Sequence, residues 1–275
     1  MNNLWVSVSG AISQQKNVET IANNVANANT PGFKRDQLSF KEHLTALTKN
    51  IDDVDLPRKE WKPEDFYRSY GAENSFVKVS GSYTNFEQGQ LSPTGNPLDL
   101  AIKGTGFFEV LTPNGIRYTR RGTFTLANDG TLVNDKGYPI LSSFNKEQLK
   151  AKNAEIPEAT QRTIKIPDGK LDVNMRGEIF SSGNKIADLS LLEFKDIKAL
   201  KKEGGLMFIN QDRDNIVLST AKSQIHQGFV ESSNVNAVSE MAKLIKAHRH
   251  FQTIQKVIKT YDQITGKGVN EISKF

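Results

Sequence analysis

The sequence predicts an α+β protein, with N- and C-terminal helices that pair as a coiled-coil-like unit around a mainly antiparallel, sandwich- or barrel-like β domain. At both ends of the chain, apolar residues recur at steps of three and four, which is the helical period. In the middle, short apolar runs alternate with turn residues. We therefore predict a helical domain of residues 1–35 plus 232–275, a linker or extended arm at 36–80, and a β-rich domain at 81–231.

The N-terminal segment has the period of a heptad seam, because its seam positions alternate steps of four and three. These positions carry Leu4, Val8, Ala11, Gln15, Val18, Ala22, Val25 and Asn29. Pro31 disfavours helical geometry at Thr30, and Gly32 follows, so the helix is expected to end there.

The C-terminal segment repeats this rhythm and carries a second apolar stripe. Its seam positions are Ala237, Met241, Leu244, His248, Phe251, Gln255, Ile258 and Asp262. The second stripe holds Val238, Ile245, Ile254, Val257, Tyr261 and Ile264. Ser233 or Asn234 is a candidate N-cap, and Gly266 a candidate end. Helices that are apolar on more than one face are expected to have several neighbours.

The middle of the chain carries repeated hairpin signals, in which Gly, Asn, Asp and Pro separate short apolar runs. The predicted strand pairs are 107–111 with 116–119, 123–126 with 131–133, 178–180 with 186–194, and 207–209 with 216–219; a further strand at 138–141 follows the turn at 135–137. Before this region, Phe40, Leu44 and Leu47 allow a helical stretch that extends to about Thr48.

Composition excludes several chemistries. The 275 residues include no cysteine, so there is no disulfide, thiolate metal site or cysteine nucleophile. The start lacks a basic region followed by an apolar run, so no cleaved secretory signal is predicted, and no stretch is apolar enough to span a membrane. The net charge of +5 suggests either an anionic partner or simply solvated helix faces.

The sequence holds no convincing catalytic or cofactor-binding set. Gly104 and Gly106 begin a dinucleotide-like motif, but Glu109 stands where its third glycine belongs. His248 and His250 lie two apart on a helix and point to different sides, so they do not chelate a metal. We predict no enzyme, no metal and no cofactor. A periplasmic peptidoglycan-active enzyme and a nucleic-acid binder using the basic tail are the alternatives from other classes.

Three segments resemble the flagellar rod and hook family of axial proteins, in the family's order. The first, residues 21–35, contains Asn23, Asn24, Asn27, Asn29, Gly32 and Phe33. The second runs from Gly89 to Phe124 and includes Gly104, Phe107, Tyr118, Arg120 and Gly122. The third, residues 228–241, contains Ser233, Asn234, Val235 and Asn236. Together the three segments bracket nearly the whole chain.

The resemblance implies a structural subunit of the flagellar basal-body rod that transmits torque and is exported through the flagellar type III apparatus. It implies helices that form an inner tube around the export channel in the periplasm, with copies of itself and other rod or hook subunits as partners, and neither nucleic acid nor membrane insertion. Length and a single modest β domain resemble the proximal or distal rod proteins more than the hook protein, and between the two we favour the proximal rod. A distal rod or hook-type axial protein is the alternative within the family.

We expect the two seams to form the assembly surface, since isolated helices of this length are marginal in water and order against other subunits. The candidate residues are Leu4, Val8, Ala11, Val18, Ala22, Val25, Met241, Leu244, Phe251 and Ile258. Asn23, Asn24, Asn27 and Asn29 are expected to bond between neighbouring helices, with capping and turn chemistry near Pro31 as the alternative.

Overall fold

A computed structural model describes residues 2–46, 73–144, 159–167, 171–204, 206–217 and 222–272. The chain divides into two compact units. The helical unit draws on Met1–Val25, Asp36–Tyr83 and Ala237–Phe275, and the β unit on Ala26–Arg35 and Thr84–Asn236. The predicted position of Leu47 and Thr48 lies outside the described residues.

The helical unit contains two long helices and a two-stranded sheet. Helix α1 spans Asn2–Ala26 and helix α2 spans Ala237–Ile272. Strand β1, Asp36–Ala46, pairs with strand β2, Glu73–Thr84. The helices at the two ends of the chain confirm the α part of the predicted class.

Three predicted details of these elements are wrong. Helix α1 ends at Ala26, before the predicted stop at Thr30, so Asn29 lies beyond it. Residues 36–46 form a strand rather than a helical stretch, and the alternation of Leu38 and Phe40 with polar residues is the signal for it. Helix α2 runs through Gly266, because one glycine in a helix interior costs only about 1 kcal/mol.

The β unit is built from fourteen of the strands found in the described residues. In chain order they are β3 Leu91–Pro93, β4 Leu100–Lys103, β5 Phe107–Thr112, β6 Gly115–Thr119, β7 Phe124–Leu126, β8 Leu132–Asn134, β9 Leu171–Val173, β10 Glu178–Ser181, β11 Asn184–Asp188, β12 Leu191–Leu192, β13 Lys201–Glu203, β14 Met207–Ile209, β15 Gln224–Gln227 and β16 Phe229–Glu231. The largest sheet has the order β12-β5-β6-β14-β13, and a second has the order β11-β10-β9. Shorter pairs join β4 to β15, β3 to β16, and β7 to β8.

All of these strand pairs are antiparallel, as predicted. The hairpins β5–β6, β7–β8 and β10–β11 form at the predicted turns. The predicted strand at 186–194 is instead split between β11 and β12, which lie in different sheets, and 138–141 makes only isolated bridges. The sandwich- or barrel-like arrangement stays a prediction.

The predicted hairpin of 207–209 with 216–219 is wrong. Strand β14 pairs with β6 and β13, and residues Arg213–Asn215 form a 3₁₀ turn. Ile216 then bridges to Phe194, far away in the sequence. The local turn signal was correct, but pairing with distant strands determined where the chain goes next.

The core of the β unit consists of two hydrophobic clusters on opposite faces of β5. Phe108 packs into an aliphatic cluster with residues such as Leu100 and Ile140, whereas Phe107 packs into an aromatic cluster. The rings of Phe107 and Phe208 meet edge-on with their centroids 5.8 Å apart. Successive side chains of a strand point to opposite faces, so the Phe107–Phe108 pair anchors both clusters.

In the part of the chain that the structure describes, no helix is long and apolar enough to cross a membrane. In the same part of the chain, no group of three His, Cys, Asp or Glu side chains is placed to hold a metal ion.

Candidate assembly site

Helices α1 and α2 lie side by side and enclose an apolar groove. The Gln14 side-chain amide donates a hydrogen bond to the Ala247 carbonyl, 3.2 Å away. The groove, of about 340 Å³, is lined by Val8, Ala11, Ile12, Gln15, Phe251, Gln255, Ile258 and Lys259. Later residues of α1 face earlier residues of α2, so the two helices run antiparallel. Of the predicted seam residues, Val8, Ala11, Phe251 and Ile258 meet here.

The remaining seam residues differ in how far the chain covers them. Val18, Val25 and Leu244 are half-buried, whereas Ala22 and Met241 are exposed. The side chain of Leu4 lies outside the described residues. Each predicted seam is therefore only partly buried by the rest of the chain.

A second face of α1 contacts strand β2 through serine hydroxyls. Ser13 Oγ donates to the Val77 carbonyl at 3.0 Å, and Ser9 Oγ accepts from the Val77 amide at 3.3 Å. Ser13 is buried although it is polar. The apolar periodicity of the sequence gives no sign of these contacts, because serine is polar and does not contribute to an apolar stripe. Helix α1 thus has two neighbours within the helical unit.

Helix α2 leaves two groups of large apolar side chains exposed, separated by exposed polar residues such as Lys246, Arg249 and Gln252. The groups are Val238, Met241 and Ile245, and Val257, Tyr261 and Ile264. Most of them belong to the second predicted stripe; Ile254 of that stripe is half-buried. Single exposed apolar residues are ordinary, but a series of them along one helix marks an interaction surface.

The motif asparagines are used partly within the chain. Asn24 is buried, and its side chain donates to the Asp36 carbonyl at 2.8 Å and accepts from the Asp36 amide at 3.0 Å. The Asn27 side chain accepts from the Thr30 hydroxyl at 3.1 Å, which is turn chemistry. Asn23 and Asn29 are exposed. Contacts to other subunits thus remain a prediction for Asn23 and Asn29.

In the β unit, the three motif segments meet at a junction, which we define as residues 32–35, 87–89 and 231–234 with Arg120. The Gly32 amide donates to the Glu231 carbonyl at 2.7 Å. Gly32 has φ +73°, and a Cβ there would lie 2.7 Å from the Arg121 backbone, so only glycine fits. Phe33 is buried, with Lys202 Nζ 4.2 Å from its ring centroid.

Asn234 links the other two segments. Its side-chain oxygen accepts from the Arg35 amide at 2.8 Å, and its amide donates to the carbonyls of Asn85 at 2.8 Å and Glu87 at 3.0 Å. Ser233 Oγ accepts from the Val235 amide at 3.2 Å. The prediction that Ser233 or Asn234 caps α2 is therefore wrong, and exposed Asn236 immediately precedes the helix.

A buried ion cluster lies at the centre of the junction. Lys34 Nζ is 2.6 Å from Glu231 Oε1, and Arg120 Nη1 is 3.5 Å from Glu231 Oε2. All three side chains are almost completely buried. Burial lowers the pKa of Lys34, while the Glu231 carboxylate opposes that shift. Burial likewise lowers the pKa of Arg120.

Backbone groups also bond to this cluster, although Arg120 Nε and Nη1 and Glu231 Oε2 make no hydrogen bond. Lys34 donates to the Glu87 carbonyl at 2.7 Å, and Arg120 donates to the Gly104 carbonyl at 2.7 Å. The Gly89 amide donates to Glu231 Oε1 at 2.9 Å. Lys34, Arg120 and Glu231 come from the first, second and third motif segments respectively. The cluster could not be predicted from the sequence, because the only signal was one charged residue within each motif.

A second buried ion pair lies elsewhere in the β unit. Glu109 binds the Arg162 guanidinium and the Ser190 hydroxyl. The Arg162 guanidinium also stacks over Phe144, with its carbon 4.5 Å from the ring centroid. Beside this pair, burial raises the pKa of Tyr118, and the Glu109 charge adds to that shift.

These features indicate a structural subunit that packs against further subunits through its helices. They are the exposed apolar side chains on the terminal helices and the hydrogen-bonded β unit.

Comparison with known proteins identifies the family. Three family models match: "Flagella basal body rod protein" at residues 4–34, "Flagellar hook protein FlgE/F/G D1 domain" at 101–181, and "Flagellar basal body rod FlgEFG protein C-terminal" at 226–271. The basal-body rod protein FlgF of Caulobacter vibrioides is 30% identical over 274 residues, covering 100% of this chain and 99% of the relative. FlgG of Buchnera aphidicola is 31% identical, with 96% and 97% covered. FlhO of Bacillus subtilis, a hook-basal body complex protein, is 28% identical over both full lengths.

The chain belongs to the flagellar basal-body rod protein family. The resemblance in the three motif segments is thus confirmed, and so is the expectation of a structural flagellar protein.

Proposed function

We propose that the chain is a rod subunit that self-assembles through α1 and α2 into the axial tube, which transmits torque and encloses the export channel. The observation that carries this proposal is the exposed apolar surface of α2, with Val238 75% and Ile245 56% exposed. Coverage of that surface by further subunits is the simplest way to remove it from water. Chain length and the single β domain support a place in the rod rather than the hook, and within the rod we favour the proximal part.

Assembly proceeds by heterologous packing. Each subunit offers one surface and receives a different one, which generates an open helical filament. The groove lined by residues of α1 and α2 and the heptad spacing support coiled-coil-like packing that extends to neighbouring copies. Polar seam residues such as Gln15 and Gln255 restrict register. The division into a terminal helical domain, an arm at 36–80 and a β domain at 81–231 stays a prediction.

The partners in this proposal are other copies and neighbouring rod or hook subunits. The protein reaches the periplasmic rod through the flagellar type III apparatus, without a cleaved signal. The family match and the names of the relatives support the location in the basal body.

The test is to locate the tagged full-length protein in purified basal bodies. We expect it to co-purify with the rod, and deletion of its gene to stop assembly before the hook. A protein that stays in the cytoplasm or the medium, in cells that still build complete flagella, would refute the proposal.

A further inference from the structure

The ion cluster of Lys34, Arg120 and Glu231 is not needed for packing. Charged side chains lose their hydration on burial, and apolar residues of similar volume often give equal or greater stability. Its benefit is specificity, because buried charges must be paired and each member accepts only one arrangement of its partners. The charges of Glu231 and Glu193 oppose the lowering of the Arg120 pKa by burial.

The cluster holds the two segments that lead to the terminal helices. Residues 32–35 follow α1, and residues 231–234 precede α2. Two hydrogen bonds join the segments, from the Gly32 amide to the Glu231 carbonyl and from the Arg35 amide to Asn234 Oδ1. Residues 87–89 also pack closely against the second of these segments, since a Cβ on Gly89 would lie 1.9 Å from the Ser232 carbonyl oxygen.

We infer that Lys34, Arg120 and Glu231 are positioning residues for assembly, which fix the two segments leading to the helices in a single arrangement. The inference rests on the proposed function, since an open filament requires every subunit to present its helices in the same way. The three charges come from distant parts of the sequence, so the cluster closes only when all three motif segments are in place.

The test compares two buried carboxylates of the same unit. Glu231→Gln keeps an acceptor for the Gly89 amide but removes the charge; Glu109→Gln does the same at the ion pair with Arg162. Both full-length variants are measured for thermal unfolding, for amide hydrogen exchange, and for incorporation into basal bodies in cells that lack the wild-type copy. The exchange readout is taken at the amides of Gly32, Arg35 and Gly89.

We expect both variants to lower the melting temperature. Only Glu231→Gln should accelerate exchange at the three junction amides, by about tenfold or more, and reduce incorporation to about a tenth. If both variants lost incorporation equally, the cluster would act only through protein stability, and the inference would be overturned. Unchanged junction exchange in Glu231→Gln would also overturn it.

A charge-balanced variant covers the case in which Glu231→Gln does not fold. Lys34→Met/Glu231→Gln removes one cation and one anion, so the net charge of the cluster is unchanged, and Arg120 keeps its hydrogen bond to the Gly104 carbonyl. We expect a folded protein that still fails to incorporate, and incorporation at the wild-type level would refute the inference. Absence of the wild-type protein from basal bodies would instead refute the proposed function, so the two failures are distinguishable.

Discussion

The substitution Ile245→Asp tests directly whether other subunits cover the exposed apolar side chains of α2. Ile245 is 56% exposed within the chain, so Ile245→Asp removes little buried apolar area from the monomer. Full burial of such a side chain contributes about 1.5–3 kcal/mol, of which roughly half is already realised. We expect the variant to lose about 1 kcal/mol or less of monomer stability.

The same substitution is far more costly in an assembly that covers this surface. The remaining apolar contact, about 1 kcal/mol, is lost, and an unpaired carboxylate must be desolvated at a cost of several kcal/mol. A loss of about 4 kcal/mol weakens each subunit contact by roughly a thousandfold. Every subunit carries the change, so the rod should not form and the cells should be non-motile.

The assay measures motility and basal-body content together with thermal unfolding of the purified protein. Ile245→Val is the matched control, because it keeps an apolar side chain at the same position, and it should assemble normally. Leu244→Asp, on the half-buried neighbouring residue, should abolish assembly while the β unit stays folded. Normal motility with Ile245→Asp would refute the reasoning that other subunits cover this face.

Three further predictions concern local structure. Gly32→Ala should destabilise the β unit by about 2 kcal/mol or more, because its backbone is left-handed and a Cβ meets neighbouring backbone; thermal unfolding of the full chain measures this. Asn24→Ala should cost about 1–3 kcal/mol and accelerate exchange of the Asp36 amide, since both hydrogen bonds to that residue are lost; unchanged exchange would contradict this. Hydrogen bonds from the Thr131 hydroxyl and amide lower the pKa of Asp129 below 3.8, so their stabilising effect is present at neutral pH and is lost as the pH falls through the folded-state pKa. Thr131→Val should therefore raise the pKa of Asp129 toward 3.8 in a carboxyl NMR titration, and a pKa that does not move would show that the hydroxyl is unimportant.

Hairpins illustrate how far sequence patterns reach. The turns between β5 and β6 and between β7 and β8 were predictable, since a few residues with Gly, Asn or Asp dictate a tight reversal. Strand β14 was not, because its partner β6 lies about ninety residues earlier and no local residue indicates that pairing. The prediction for residues 36–46 was wrong for a related reason. Their apolar pattern also fits a helix, but pairing with the distant strand β2 makes them a strand.

The candidate site divides in the same way. The helical period located both seams, and the motif segments located the family, because both are properties of neighbouring residues. The ion cluster at the junction joins residues 34, 120 and 231, and each of them is unremarkable in its own segment. Asn24 was grouped with the neighbouring asparagines as a residue for contacts between helices. In the structure, both hydrogen-bonding groups of its side chain bond to the Asp36 backbone.

The sequence by itself determined the two terminal helices, the antiparallel hairpins of the middle and the family of the chain. Helical hydrogen bonds and tight turns join residues only a few positions apart, so local spacing is enough to specify them. Only the tertiary structure decided which face of α2 stays exposed, where α1 ends and which buried charges pair. Burial and ion pairing depend on neighbours brought together from distant positions, and local spacing carries no information about them.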